Sequence, residues 1–202
     1  MKRILTFLLI FLVTGCTVVR IDTSNMDTIV DVVLSKDNRL YNRVGKGYKY
    51  YVPRGVTYID TDDLNDKLYS NGNYYYLYVD AISYYNNTKT DYKEKEDLYY
   101  SRKISTEDGF KWSGYIEIEK KDDLYYVEFV YNHARIEAAV SKDSLNDVIL
   151  NSAYILSTIQ FNSDVISLML DDEYFTNKEE KYEVFAKNEE NDNFKLQIID
   201  ND

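Results

Sequence analysis

The sequence predicts an α+β fold in which an antiparallel β-sheet meander is covered by helices. The chain has 202 residues, of which 45% are hydrophobic, so it can bury a substantial core in one domain. Short runs of tyrosine and β-branched residues alternate with turn residues, which is typical of antiparallel strands. Apolar residues recur at helical spacing near the start of the chain and again after residue 141.

The first half of the chain is predicted to begin with a helix and to continue with strands. Ser24 is a candidate N-cap for this helix, and apolar residues follow it at helical spacing up to Leu34. Residues 60–70 are acidic and predict a loop or a brief helix. Strands are predicted at residues 48–52, 56–59 and 74–85, and an exposed loop at 86–97.

The second half is predicted to contain a meander and then the clearest helix. In the strand at 115–119, Glu117 and Glu119 alternate with isoleucines, which suits a sheet with one wet face. Ser141 or Asp143 is the expected helix cap. Further strands are predicted at 98–104, 124–131 and 135–140, a short helix at 164–170, a strand at 182–185 and a last helix at 194–199.

The first 16 residues carry the most specific motif. Lys2 and Arg3 precede a ten-residue apolar run at 4–13, which is too short to span a bilayer and predicts a secretory signal. The run ends in Val-Thr-Gly-Cys, with Gly15 before Cys16, and resembles the lipobox of bacterial lipoproteins. The resemblance implies cleavage between Gly15 and Cys16 and a diacylglyceryl group on the Cys16 thiol. Two acyl chains would hold the protein stably on the extracytoplasmic side of a bacterial cell membrane.

This reading divides the chain into a signal peptide (1–15), a lipidated cysteine with a short tether (16–24) and a single α+β domain (25–202). Residues 163–202 are treated as a C-terminal extension. Cleavage leaves 22 basic and 35 acidic residues, so the formal net charge changes from −11 to −13. Such a charge disfavours nucleic acid as a partner, because phosphate contacts require a basic face.

A second resemblance covers residues 45–162. The strand and Pro-Arg-Gly turn at 47–55 resemble the opening of PsbP-like proteins, and the later hairpin, the strand ending at Val140 and the helix that follows are also similar. The resemblance implies a PsbP-like sandwich. Members of that family include small lipoproteins and accessory or adaptor proteins, usually without catalysis, and no functional residue is carried over from them.

The composition leaves little material for catalysis. One Cys and one His cannot build a disulfide or a Cys/His metal cluster, and Cys16 is assigned to the lipid. His133 lies in a predicted tight turn, where a solvated residue is favoured over a general base. We therefore predict no catalytic residue, no metal ligand and no cofactor.

The acidic residues leave two alternatives open. The cluster from Asp60 to Asp66 fails the EF-hand pattern, because Leu64 and Asn65 stand at the loop's fifth and sixth positions. A weak Ca²⁺ site there, or at residues 171–173, remains an alternative to a solvated acidic surface. A pair of carboxylates could also hydrolyse glycosides, but nothing in the sequence selects a pair.

The predicted function is that of a non-enzymatic, lipid-anchored interaction or assembly module. The expected partners are the membrane, through Cys16, and an envelope protein or glycan. The alternative is a lipoprotein that binds a glycan, a peptide or Ca²⁺ on a tyrosine-rich acidic surface. Tyrosine supplies contact area together with a polar tip, so the candidate contact surface comprises Tyr75, Tyr85, Tyr100 and Trp112.

Overall fold

Two antiparallel sheets and four α-helices make up the part of the chain that the computed structural model describes, residues 22–105 and 112–171. The helices are α1 (Met26–Leu34), α2 (Ala81–Tyr85), α3 (Leu145–Ser157) and α4 (Ser163–Asp171). The strands are β1 (Arg43–Val44), β2 (Tyr48–Tyr50), β3 (Thr57–Asp62), β4 (Asn65–Ser70), β5 (Asn73–Val79), β6 (Tyr100–Ser105), β7 (Ser113–Lys121), β8 (Leu124–Tyr131), β9 (Ala134–Val140) and β10 (Gln160–Phe161). The predicted mixture of helices and antiparallel strands is confirmed.

The larger sheet has seven strands in the order β3-β4-β5-β9-β8-β7-β6. Four of its hairpins close through two-residue turns, which fix the register of the strands on either side. Asn71 and Gly72 both have positive φ, and so do Asn132 and His133, as the primed turns of hairpins require. The smaller sheet has the order β1-β2-β10.

One face of the large sheet carries the hydrophobic core. Alternate residues of β7, β8 and β9 point to this face, and Ile116, Phe129 and Ile136 have no exposed surface. Helix α3 packs on β8 and β9 and also contacts α1. At the end of α3, the Asn132 side chain donates to the carbonyl oxygens of Leu156 and Ile159 at 3.2 and 2.8 Å.

A buried carboxylate joins the two sheets. Asp66 on β4 is 3% exposed, and its Oδ2 accepts hydroxyl bonds from Tyr50 at 2.6 Å and Tyr48 at 3.3 Å. Its Oδ1 accepts a third bond from Thr61. A buried charge requires such partners, and here they hold β2 against β4.

Helix α1 is tied to the edge of the sheet. Its N-cap is Asn25, whose side chain accepts from the amides of Asp27 and Thr28, and not Ser24 as predicted. On its exposed side, Asp27 accepts bonds from the Tyr100 hydroxyl and the Arg102 guanidinium of β6.

Two predicted elements were wrong. The acidic segment at 60–70 forms the end of β3, a turn and β4, because Asp66, Leu68 and Ser70 alternate inward and the charged content hid that alternation. The predicted strand at 74–85 ends at Val79. Asp80 then caps α2 by accepting the Ser83 amide, so the last residues of that aromatic run are helical.

The ends of the chain are only partly described. Helix α4 agrees with the predicted helix at 164–170, and its Ile166 is 1% exposed within the core. Gly15, Cys16 and the elements predicted at 182–185 and 194–199 lie outside the described residues. No helix within residues 22–105 and 112–171 is long and apolar enough to cross a membrane.

Candidate functional site

The four residues of the predicted contact surface lie in different environments. Tyr75 is 1% exposed and accepts a bond from the Asn151 amide at 3.1 Å, so it is a core residue, and placing it on a contact surface was wrong. Tyr100 and Trp112 are half-buried against the core, whereas Tyr85 is 50% exposed. The error at Tyr75 follows from the period of a strand, because its neighbours Tyr74 and Tyr76 point to the opposite face.

That opposite face of the large sheet, which we call the open face, carries polar and aromatic side chains. Its residues on the central strands alternate with the core residues described above. They include Lys67 and Tyr69 on β4, Tyr74, Tyr76 and Tyr78 on β5, Arg135 and Glu137 on β9, Tyr126 and Glu128 on β8, and Tyr115 and Glu117 on β7.

Three glutamates lie in one row across the open face. Glu117 is directly opposite Glu128, and Glu128 is directly opposite Glu137. Opposite residues on neighbouring strands have Cβ atoms about 5 Å apart, and like charges in such positions destabilise a sheet. The arrangement, which we call the glutamate row, therefore needs compensating partners.

Each glutamate of the row contacts a different side chain. Glu117 forms an ion pair with Lys95 at 2.6 Å, and Glu137 forms one with Arg135 at 3.1 Å. Glu128 instead accepts the Tyr115 hydroxyl. These contacts thus pair three carboxylates with two cations.

Glu137 is the most unusual of the three. Its side chain is only 3% exposed, and its Oε2 atom is buried without a hydrogen-bond partner among the described residues. The pKa of Glu137 is raised to about 7, mainly by burial, which the Arg135 charge opposes and the Glu128 charge reinforces. Glu137 therefore exchanges a proton near neutral pH.

A segment at 86–99, which we call the strap, crosses the open face beside the row. The Tyr92 ring stacks on Tyr115 with a centroid distance of 4.2 Å and an interplanar angle of 6°. The Tyr92 hydroxyl and the Lys95 amide both bond to Ser101 Oγ, at 2.6 and 2.8 Å. The expected exposed loop is confirmed for most of these residues, but Tyr92 is only 9% exposed.

The other end of the open face presents aromatic rings. Tyr69 and Tyr74 are 36% and 41% exposed, and their ring centroids are 5.2 Å apart. The Lys67 ammonium lies 4.3 Å from the centre of the Tyr74 ring, and the Arg135 guanidinium lies 4.9 Å from that of Tyr78. Cations of the chain itself thus already occupy some of these aromatic faces.

His133 is less solvated than predicted. It is half-buried, its ring meets Tyr84 and Phe161 edge-on, and its Nδ1 is 3.0 Å from Ser83 Oγ. Burial lowers the pKa of His133, which keeps the imidazole neutral at neutral pH. Asp80 bonds to the Ser83 amide, at 2.7 Å, so this carboxylate holds the helix cap.

The acidic cluster at 60–66 does not converge on a cation. Both Asp66 oxygens accept hydroxyl bonds from the protein. Within residues 22–105 and 112–171, no three His, Cys, Asp or Glu side chains are placed to share a metal ion. Of the second acidic cluster, residues 172–173 and the side chain of Asp171 lie outside the described residues.

The glutamate row was not predicted, although the sequence carries a signal for it. Two-residue turns at 122–123 and 132–133 place Glu117, Glu128 and Glu137 opposite one another. The register set by those turns therefore distinguishes these three acids from the others, because it places them side by side on neighbouring strands. No protein-family model matches the chain, and comparisons with curated proteins and with solved structures give no significant match.

Proposed function

We propose that this chain is a lipid-anchored protein on the extracytoplasmic face of a bacterial membrane and that it acts by binding a partner without catalysis. One observation carries the proposal: a basic start, a short apolar run and the sole cysteine coincide within 16 residues. Only five residues separate Cys16 from Asp22, the first described residue. That span reaches about 20 Å when extended, which would keep the domain close to the lipid surface.

The anchor is tested by labelling the full-length chain in a bacterium fed an alkyne-bearing fatty acid. We expect the wild-type protein to carry the label, to sediment with membranes and to begin at Cys16 by mass spectrometry. Cys16→Ser should lose the label and the cleavage, because a hydroxyl does not form the thioether. Ser24→Ala, changed outside the motif, should behave as wild type. An unlabelled wild-type protein that keeps its first 15 residues would contradict the anchor.

We also propose that the domain is related to the PsbP-like sandwich. The proposal is supported by the β2 strand with its Pro53-Arg54-Gly55 turn and by the hairpin, strand and helix that end at Ser157. Adaptor proteins of that kind usually bind without catalysing a reaction, which agrees with the proposed role.

A second candidate is a ligand-binding lipoprotein, and the exposed Tyr69–Tyr74 pair favours it. Two neighbouring, partly exposed rings with polar tips offer a surface for a sugar or a peptide. Photo-crosslinkers placed at Tyr74 and Tyr85 in the anchored protein distinguish the candidates, with buried Tyr75 as the negative control. A discrete protein adduct supports the interaction module, whereas adducts only to glycan or peptide support the ligand-binding protein.

A further inference from the structure

The three carboxylates of the glutamate row contact two cations between them. The charged and titratable groups facing Glu137 are Arg135 on its own strand, Glu128 and Tyr126 on β8, Glu117 and Tyr115 on β7, Tyr76 and Tyr78 on β5, Lys67 on β4, and Lys95 from the strap. The Lys67 ammonium lies over the rings of Tyr74 and Tyr76, 4.3 and 5.8 Å from their centres. Three adjacent carboxylates therefore have two cationic partners between them.

The unpartnered Oε2 atom of Glu137 indicates where a proton would bind. Glu137 Oε2 is buried and lacks a bond among the described residues, while the opposite side chain, Glu128, accepts a bond from a neutral hydroxyl. Carboxylates on directly opposite residues repel each other when both are ionised, and a proton on Glu137 removes this repulsion and the cost of burying a second charge.

We propose that Glu128 and Glu137 form a proton-binding carboxyl pair, and that the proton this pair holds controls how tightly the strap lies on the open face. The connection runs through two contacts. Glu128 accepts the hydroxyl of Tyr115, on which Tyr92 of the strap stacks. The next carboxylate of the row, Glu117, holds Lys95 of the strap.

The direction of the effect follows from the charges. Loss of the proton makes the row more negative, which strengthens the pull on the Lys95 ammonium and the bond from the Tyr115 hydroxyl. The charge change lies about 10 Å from Lys95, two strand spacings away. At a dielectric between that of the protein surface and that of water, this corresponds to about a threefold change in the docking equilibrium.

The test uses the full-length chain in detergent micelles between pH 5 and pH 9. The titration of the glutamate side-chain carboxyls is followed by ¹³C nuclear magnetic resonance, and strap docking is followed by amide hydrogen exchange. The two informative amides are Lys95, which bonds to Ser101, and Lys103, which bonds to Glu94. We expect one carboxyl of the pair to titrate near neutral pH and the protection factors to rise about threefold over the same range.

The variants separate proton binding from a merely structural role. Glu137→Gln should abolish the near-neutral titration and leave strap protection independent of pH, at the level of acidic solution. Glu128→Gln should shift that titration to lower pH, because the Glu128 charge adds to the effect of burial on Glu137, and this second variant keeps the test decisive where Glu137→Gln folds poorly. Glu119→Gln is the matched control, because Glu119 forms an ion pair with Lys121 outside the glutamate row. This variant should retain the near-neutral titration and the pH dependence of strap protection. Ordinary titration of both carboxyls would overturn the proton pair, and an unchanged pH response in Glu137→Gln would overturn its link to the strap.

Discussion

Buried tyrosine hydroxyls make the folded chain sensitive to alkaline pH. Tyr48, Tyr50 and Tyr131 are 3%, 0% and 2% exposed. Burial raises the pKa of Tyr131 from 10.0 to about 12. Burial, reinforced by the Asp66 charge, raises the pKa of Tyr48 and Tyr50 further above that usual value. The folded state therefore keeps three protons that the unfolded chain releases above pH 10.

The sign and size of the effect follow from proton linkage. A group with a raised pKa contributes stability that is complete below pH 10 and is lost as the pH rises toward the folded value. Each tyrosine lowers the free energy of unfolding by about 1.4 kcal/mol at pH 11, so these three together lower it by about 4 kcal/mol. That is a large part of the 5–15 kcal/mol that a domain typically has.

The assay is urea unfolding at pH 9 and pH 11, with tyrosinate absorbance recorded on the same samples. We expect the stability loss and a late release of tyrosine protons that coincides with unfolding. Tyr131→Phe should recover about 1.4 kcal/mol of the loss, because it keeps the ring and removes one ionisable group. Tyr85→Phe, at a half-exposed position, should recover none. Equal stability at the two pH values, or release of these protons from the folded chain near pH 10, would refute the reasoning.

Three substitutions test the packing that positions the open face, all by urea unfolding at neutral pH. Tyr50→Phe removes the 2.6 Å bond to the Asp66 carboxylate and should cost about 2 kcal/mol; no loss would show that β2 docks without it. Gly114→Ala should cost about 3 kcal/mol, because its Cβ would lie 1.9 Å from the Val130 carbonyl oxygen and backbone must move; wild-type stability would contradict that contact. Asn132→Gly keeps the positive φ but removes the cap of α3, for an expected loss of about 1–3 kcal/mol, and a neutral effect would show that water replaces the amide.

The meander was predictable because its signals are local. Period-two alternation and turn residues identify β7, β8 and β9 without knowledge of the rest of the chain. The boundary between β5 and α2 was not predictable in this way, because a run of aromatic and β-branched residues continues past Val79. What ends the strand there is Asp80, whose carboxylate bonds to an amide three residues on.

The face on which a tyrosine lies depends on packing as well as on pattern. In the run Tyr74-Tyr75-Tyr76 the residue type is constant, so composition cannot say which ring is buried. The answer comes from Leu77 and Val79, which share the phase of Tyr75 and lie in the core. Counting back from those apolar residues would have placed Tyr75 inside and Tyr74 on the open face.

The glutamate row conflicts with what stabilises a sheet, and this conflict supports the proposal that the open face is functional. On the core face, inward residues such as Ile116 and Phe129 stabilise the fold by burying apolar surface. On the open face, three like charges lie opposite one another, and one is buried with an oxygen left over. Threonine or valine would suit these positions better, since cross-strand pairs of such residues stabilise a sheet and like charges do not. A feature that costs folding free energy is expected where binding or proton exchange needs it, and the strap lies on that part of the sheet.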